Sequence, residues 1–472
     1  MTGTVVERRW LACSFAYGTL VSLVAAYFLL RVPIQVTDSF TTLLALERPF
    51  FHLVREQFGQ AGYLRPAMWA ELKLVYDLSG GDYTRWFRLT QALQVLALVW
   101  LYIRLVQPRS AAALAVLPLG LAILVGGHTF AWTVREAYPI NTFLTMLLCC
   151  AAAANLSFAR PRWWSDALAA ALFVVAALTV ETGLLVWVIF AAGALVGLRG
   201  VSPRGLALVS AALAGYFVLR FAVLDIGVPG LLERDSGFGF SRYTPGELSA
   251  RFGASPWGFY AYNVLSGIAT VLFAEPRDGV WRLTRSLAAG APEWPLVIGF
   301  VSSSLATALI ARFAWTRRAR WRRWEFDRDD QLVLMFAAVL AANVVIGYAY
   351  SKDQILSPAG FFFAVAAFVG TLDLVAHLPL RRVARAGALA VCVVLSVSWS
   401  LRAVGLHAGL SWTAIKVREQ WAYVDDWLAR VGSHDPSPRT RALRDQLQGD
   451  AVRRYPAPPP LREPWTRLFE VE

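Results

Sequence analysis

Asp38 follows a long apolar run by a few residues, in Arg31-Val-Pro-Ile-Gln-Val-Thr-Asp38-Ser-Phe. A carboxylate at the mouth of a membrane helix is badly placed for packing. It is well placed to act as a general base or to position charge, and its plain alternative is a helix-capping acid. Arg65 opens Arg65-Pro66, where a guanidinium either anchors a surface helix or grips a phosphate with two parallel hydrogen bonds. His128, Arg135 and Glu136 fall within one short loop, Gly126-Gly-His128-Thr-Phe-Ala-Trp-Thr-Val-Arg135-Glu136. They bring an imidazole, a cation and an acid to the ends of two helices, although Glu136 also suits the first turn of a following helix. Glu181, in Val180-Glu181-Thr-Gly183, sits in the minimal turn between two apolar runs. An ionisable group there must be paired, snorkel or face water. Tyr350 and Lys352 share the tight segment Tyr348-Ala-Tyr350-Ser-Lys352-Asp353, which is either an ordinary polar turn or a second phosphate-side cation.

These residues lie at helix ends, whereas Asp373, inside an apolar run, is close to the opposite end of its helix. That distribution points to a site at one membrane face and away from a proton relay through the bundle. The chain has no nucleotide-binding glycine loop, no HExxH and no GxSxG.

The elements that must position these groups are membrane helices. The chain has 472 residues, 57% of them hydrophobic, with a mean hydropathy of +0.49. Apolar runs able to cross a bilayer occur near 10–31, 88–106, 111–127, 139–158, 166–181, 183–198, 205–224, 294–313, 331–350, 358–376 and 385–402. The expectation is therefore an all-α polytopic membrane protein of about eleven spans, with surface-lying helices in the first external loop. The net charge of +13 resides in arginines of short loops and sets orientation. Arg8/Arg9, Arg104/Arg109, Arg160/Arg162, Arg199/Arg204, the cluster Arg317 to Arg323, and Arg381/Arg382/Arg385 are expected in the cytoplasm. The N-terminus is then cytoplasmic, as a retained first helix, and the C-terminal tail external. Residues 1–402 read as the transmembrane bundle and 403–472 as the tail, with a helical stretch at Trp412 to Val431. Two external loops are large, 32–87 and 225–293. In the first, Pro66 to Leu78 reads as a helix lying flat, with Met68, Leu72 and Val75 on one face and Glu71 and Lys73 on the other. In the second, Phe259 to Ala274 reads as re-entrant or surface-lying, because a crossing there would carry the Arg317–Arg323 cluster outside. Cys13, Cys149, Cys150 and Cys392 all fall in apolar runs and read as small buried side chains.

The arrangement resembles the GT-C superfamily of integral-membrane glycosyltransferases, particularly the protein O-mannosyltransferase-like branch and the bacterial branch that uses polyprenyl-phosphate sugars. The residues that carry the resemblance are Asp38 after the first helix, Arg65-Pro66 opening a surface helix, His128 with Arg135-Glu136 in the second loop, Glu181 before Gly183, and Tyr350, Lys352 and Pro358 in a late loop. It covers residues 10–200 and, more loosely, 330–376. The resemblance implies an inverting transfer of a sugar from a polyprenyl-phosphate donor to an acceptor hydroxyl at the external face of a plasma membrane. Asp38 would take the proton, and Arg65, Arg135 and Lys352 would stabilise the leaving phosphate. Glu136 and His128 would orient the acceptor or hold Asp38. Glu181 would fix its hairpin against the first loop. The partners implied are the lipid-linked donor, membrane lipids and a glycan, lipid or protein acceptor, with no nucleic acid. No cofactor is certain, and a divalent metal stays open. The competing expectation is a transporter or flippase of lipid-linked sugars, which would show a polar path and broken helices.

Overall fold

The computed structural model describes residues 5–30, 42–43, 45–59, 64–80, 83–127, 143–225, 236–238, 241–253, 256–273, 282–351, 353–377, 382–416, 438–454 and 465. Among these, the chain is helical apart from one small sheet. The first half runs α1 (Val5–Leu29), α2 (Phe50–Gly59), α3 (Pro66–Leu78), α4 (Tyr83–Val106), α5 (Ala111–Gly126), α6 (Phe143–Phe158), α7 (Ser165–Ala177), a 3-10 turn (Glu181–Leu184), α8 (Leu185–Leu195) and α9 (Pro203–Phe217). The second half runs β1 (Ser236–Phe238), β2 (Ser241–Tyr243), α10 (Pro245–Phe252), α11 (Trp257–Phe273), α12 (Arg282–Ala288), α13 (Trp294–Trp321), α14 (Arg328–Ile346), β3 (Tyr350–Ser351), α15 (Ser357–His377), α16 (Arg382–Lys416) and α17 (Pro438–Arg454).

Among the described residues, seven helices are long and apolar enough to cross a membrane, and shorter apolar helices occupy Ala111–Gly126, Phe143–Phe158, Ser165–Ala177, Glu181–Leu195 and Trp257–Phe273. The protein is thus an integral, multi-pass helical membrane protein. Helices form because lipid offers no partner to a free N–H or C=O, so each segment must satisfy its own backbone. Their ends are fixed by side chains. Ser110 and Ser202 accept from the amides of Ala113 and Gly205, and Asp327 and Asp330 make a reciprocal capping box at the start of α14. The core is built around α15, whose Phe361, Phe362, Ala364, Val365, Ala366 and Phe368 are fully enclosed. Helices α5, α13 and α14 pack around it.

The contacts sort the helix ends into two groups. At one end Arg328 donates to the Leu105 carbonyl at 2.7 Å, Gln331 to the Val196 carbonyl and the Gly200 amide to Ser157. Asp373 is held there by Arg312 at 2.9 Å and Arg317 at 3.2 Å. Arg317 and Arg320 also bridge to Asp327. This end carries the arginine clusters. At the other end lie Leu178, Glu181 and Arg65, the Tyr348–Tyr260 ring pair and His407 stacked on Phe28. We call it the loop end.

Three features differ from the sequence expectation. First, α16 does not stop near 402. It runs on to Lys416, with Ala403, Leu406 and His407 still buried, so no break separates bundle from tail there. A second helix, α17, follows where the sequence offered no apolar period. Second, Cys13 is exposed on α1, while Cys149, Cys150 and Cys392 are buried. Third, a three-stranded sheet in the order β2-β1-β3 joins the long loop to the Tyr350 segment, with Gly237 opposite Tyr350 in parallel register. The segment expected to be re-entrant or surface-lying falls, from Phe259 to Phe273, in a helix of 17 residues, Trp257–Phe273. That helix starts at the loop end, where Asn263 donates to the Tyr348 carbonyl at 2.9 Å. Its far end meets Phe300 and Thr307, in the loop-side half of α13.

Candidate functional site

Of the residues singled out in the sequence, Asp38, His128, Arg135, Glu136 and Lys352 lie outside the described residues. Arg65, Pro66 and Glu181 come together at the loop end. Tyr350 lies at the same end, in β3 beside the start of α11.

Pro66 takes the first position of α3, where its missing N–H costs nothing. Gly80, with φ +56°, lies just beyond the other end of that helix. The start of α3 is tied to the bundle because the Ala67 amide donates to the Leu178 carbonyl at 3.1 Å. The Glu181 turn is equally fixed. Its Gly183 presses on the backbone of Ala176 and Ala177, an approach that leaves no room for a Cβ. Across this junction Arg65 Nη2 donates to Glu181 Oε2 at 2.7 Å.

A second arginine joins them that the sequence reading passed over. Arg220 belongs to a π-helical extension of α9, Val218–Val223, and is only 3% exposed. Its Nη1 donates to Tyr216 Oη at 2.7 Å and reaches Glu181 Oε1 at 3.5 Å. π-Bulges recur at functional sites because the extra residue re-aims a side chain. The sequence did carry a signal, since an arginine inside the apolar run 205–224 is a functional candidate by default.

Glu71 differs from its expected place as well. It does not face outward from α3. Gln94 Nε2 of α4 donates to its Oε1 at 2.8 Å, and Thr145 Oγ1 of α6 donates to its Oε2 at 2.6 Å. Gln94 also donates to Thr145 at 2.9 Å, which closes a triangle. Glu71 meets no cation among the described residues, and burial pushes its carboxyl above the usual range, against the lowering effect of the two hydrogen bonds. Lys73, expected on the same polar face, instead donates to the Leu46 carbonyl and to Asp77. The face of α3 turned into the protein carries Met68, Leu72 and Tyr76.

Two further polar atoms at this end, Trp69 Nε1 and Thr182 Oγ1, are buried without a hydrogen-bond partner among the described residues. Such atoms are uncommon in native interiors, and they cluster where a ligand or water completes the structure. Among the described residues no group of three or more His, Cys, Asp or Glu side chains is placed to hold a metal ion.

The loop end therefore combines fixed guanidiniums, a shared carboxylate, and an acid held without a counter-charge. Such a set can bind an anion and accept a proton within one region. No family model, curated protein or solved structure matches this chain. The class its fold defines is the multi-pass helical membrane protein.

Proposed function

We infer that this protein is a membrane glycosyltransferase of the GT-C kind, which moves a sugar from a polyprenyl-phosphate donor to an acceptor hydroxyl at the external membrane face, with inversion. The observation that carries the reading is the Arg65–Glu181–Arg220 network, which gathers two guanidiniums from separate elements at one bundle end. Preorganised cations of this kind stabilise a departing phosphate, usually the largest catalytic effect available. The arginine clusters occupy the opposite end, which the positive-inside rule assigns to the cytoplasm. The N-terminus is then cytoplasmic and the loop end external. A nucleotide sugar does not reach that side, whereas a lipid-linked sugar does. Arg135 and Lys352 are further candidate cations, and Tyr350 lies at the same end. His128 and Glu136 are candidates to orient the acceptor. By sequence, Asp38 is the candidate base.

The test reconstitutes the full chain in nanodiscs with radiolabelled polyprenyl-phosphate hexoses and pentoses, using cell-envelope extract as acceptor. Release of polyprenyl phosphate with label in the envelope fraction is expected. Movement of intact donor across liposomes without release would overturn the reading in favour of a flippase.

A further inference from the structure

We propose that Glu71 is the proton acceptor of this site, an assignment that rests on the glycosyl-transfer reading above and competes with Asp38 for the same proton. A carboxylate that serves only packing is normally paired with a cation or left in water. Glu71 has neither arrangement. It is half-buried at the loop end, and both of its oxygens are held by neutral donors, Gln94 and Thr145. Neutral donors fix the orientation of a carboxylate while leaving its charge uncancelled, which keeps it basic and aimed. A cation partner would orient it too, but would quench its basicity.

Position agrees with this role. Glu71 is one helical turn beyond Ala67, on the side of α3 whose Ala67 amide bonds to Leu178 in the hairpin that carries Glu181. It is six residues from Arg65, about 9 Å of helix rise at ~1.5 Å per residue. Arg65 caps α3 and Glu71 lies in its second turn, so the acid and the phosphate-side cation belong to the same end of one helix. In the step, the acceptor hydroxyl oxygen bonds to the anomeric carbon and the bond from that carbon to the phosphate oxygen breaks. The lipid phosphate leaves with the electron pair, and the hydroxyl proton passes to Glu71. The upward pull of burial on its carboxyl moves the group toward the working range of a general base. The groups facing it among the described residues are Gln94 on α4 and Thr145 and Cys149 on α6.

The experiment measures polyprenyl-phosphate release against pH for wild type, Glu71→Gln, Thr145→Val and Asp38→Asn, with folding checked by size exclusion. A base is active when deprotonated, so rate is lost on the acid side of its pKa. Glu71→Gln should lose ~10²–10⁴-fold in turnover. Thr145→Val removes a hydrogen bond that favours the ionised form, so the acid limb should move to higher pH, a shift that a merely structural role would not produce. Glu71→Gln within about threefold of wild type with an unmoved acid limb overturns the assignment, as does a Thr145→Val profile that superimposes on wild type should Glu71→Gln fail to fold. No release by wild type from any donor overturns the glycosyl-transfer reading itself, and the assignment falls with it.

Discussion

Glu181→Gln tests the ion network on which the site depends. The substitution keeps the shape of the side chain but takes from Arg65 and Arg220 the carboxylate they share. Removing one partner of a fully buried pair costs ~3–5 kcal/mol, because the remaining charge loses its compensation in a medium of low dielectric. Here Arg220 is 3% exposed, but Glu181 and Arg65 are 21% and 23% exposed, so water screens part of the loss. The expected cost is about 2–3 kcal/mol. At roughly 2 °C per kcal/mol for a large domain, the apparent Tm should fall by about 4–6 °C. The assay is thermal unfolding followed by fluorescence size exclusion in one detergent. Combining Glu181→Gln with Arg220→Met removes one of the stranded cations. The double variant should then lose at least about 1 kcal/mol less than the sum of the single variants. A Glu181→Gln protein melting within about 1 °C of wild type, or strict additivity in the double variant, would refute the claim that these charges act as one unit.

Other expectations are brief. Gly183→Ala should abolish accumulation of folded protein, because its Cβ would overlap the Ala176 carbonyl, a backbone group that cannot yield; normal size-exclusion behaviour would count against the hairpin geometry. Arg402 is 2% exposed and stacks on Trp399, with Nη1 donating to Ser302, Ser303 and the Gly299 carbonyl, while Nη2 has no partner. Arg402→Met should therefore leave the Tm unchanged or raised, since an apolar side chain of similar length spares a buried charge; a fall of more than about 5 °C would show that the guanidinium is a required staple between α13 and α16. Single cysteines at Ala288, Ala319 and Trp163, in a background without the native four, test orientation. An impermeant thiol reagent on intact cells should label only position 288, and labelling at 319 or 163 would invert the assignment of the two ends.

Run length and charge made the helices legible, because both are local. Each apolar run in the sequence corresponds to a helix among the described residues, including the short segment from Trp257. The end of α16 was missed for a physical reason. His407 and Arg402 look like termination signals in a hydropathy profile, yet His407 is buried where it meets the Val125 carbonyl, and Arg402 is buried against α13. The sheet was missed because Gly237 and Tyr350 pair through backbone groups, which leave no pattern in side chains. Arg65 and Glu181 were found as separate candidates, since an Arg-Pro pair and an acid in a tight hairpin are each conspicuous. Their contact is long-range, and the resemblance implies only that Glu181 fixes its hairpin against the first loop, not that Arg65 is its partner. Glu71 was placed on the wrong side of its helix. The periodicity of α3 is set by Met68, Leu72 and Tyr76, and Glu71 lies at the edge of that stripe, where the facing residue decides orientation. That residue is Gln94 on α4, which with Arg88, Thr90 and Gln91 makes the first half of that helix polar on part of its surface, and polar positions of this sort are a signal in the sequence.

The two ends of the bundle differ in how their charges are settled, and this difference bears on where chemistry can occur. At the arginine-rich end the buried acids are spoken for. Asp373 has two arginines, and Asp330 accepts from the Trp321 indole and lies near Arg320. Asp327 is pulled up by burial but held below the usual range overall by the Asp330 backbone and by Arg320 and Arg317, so its stabilising contribution is present at neutral pH and is lost as pH falls through its lowered pKa. Such a network resists opening, although Asp329 beside it carries no ion pair among the described residues and its carboxyl is pushed up by burial and by Asp327. At the loop end, among the described residues, Glu71 has no cation, Trp69 and Thr182 have buried polar atoms without partners, and the guanidinium of Arg220 is buried on a π-turn. Each of these costs free energy in the protein alone. A fold that gathers several of them in one region, while Asp373, Asp330 and Asp327 are paired at the opposite end, has the asymmetry expected when the missing partners are supplied by a substrate.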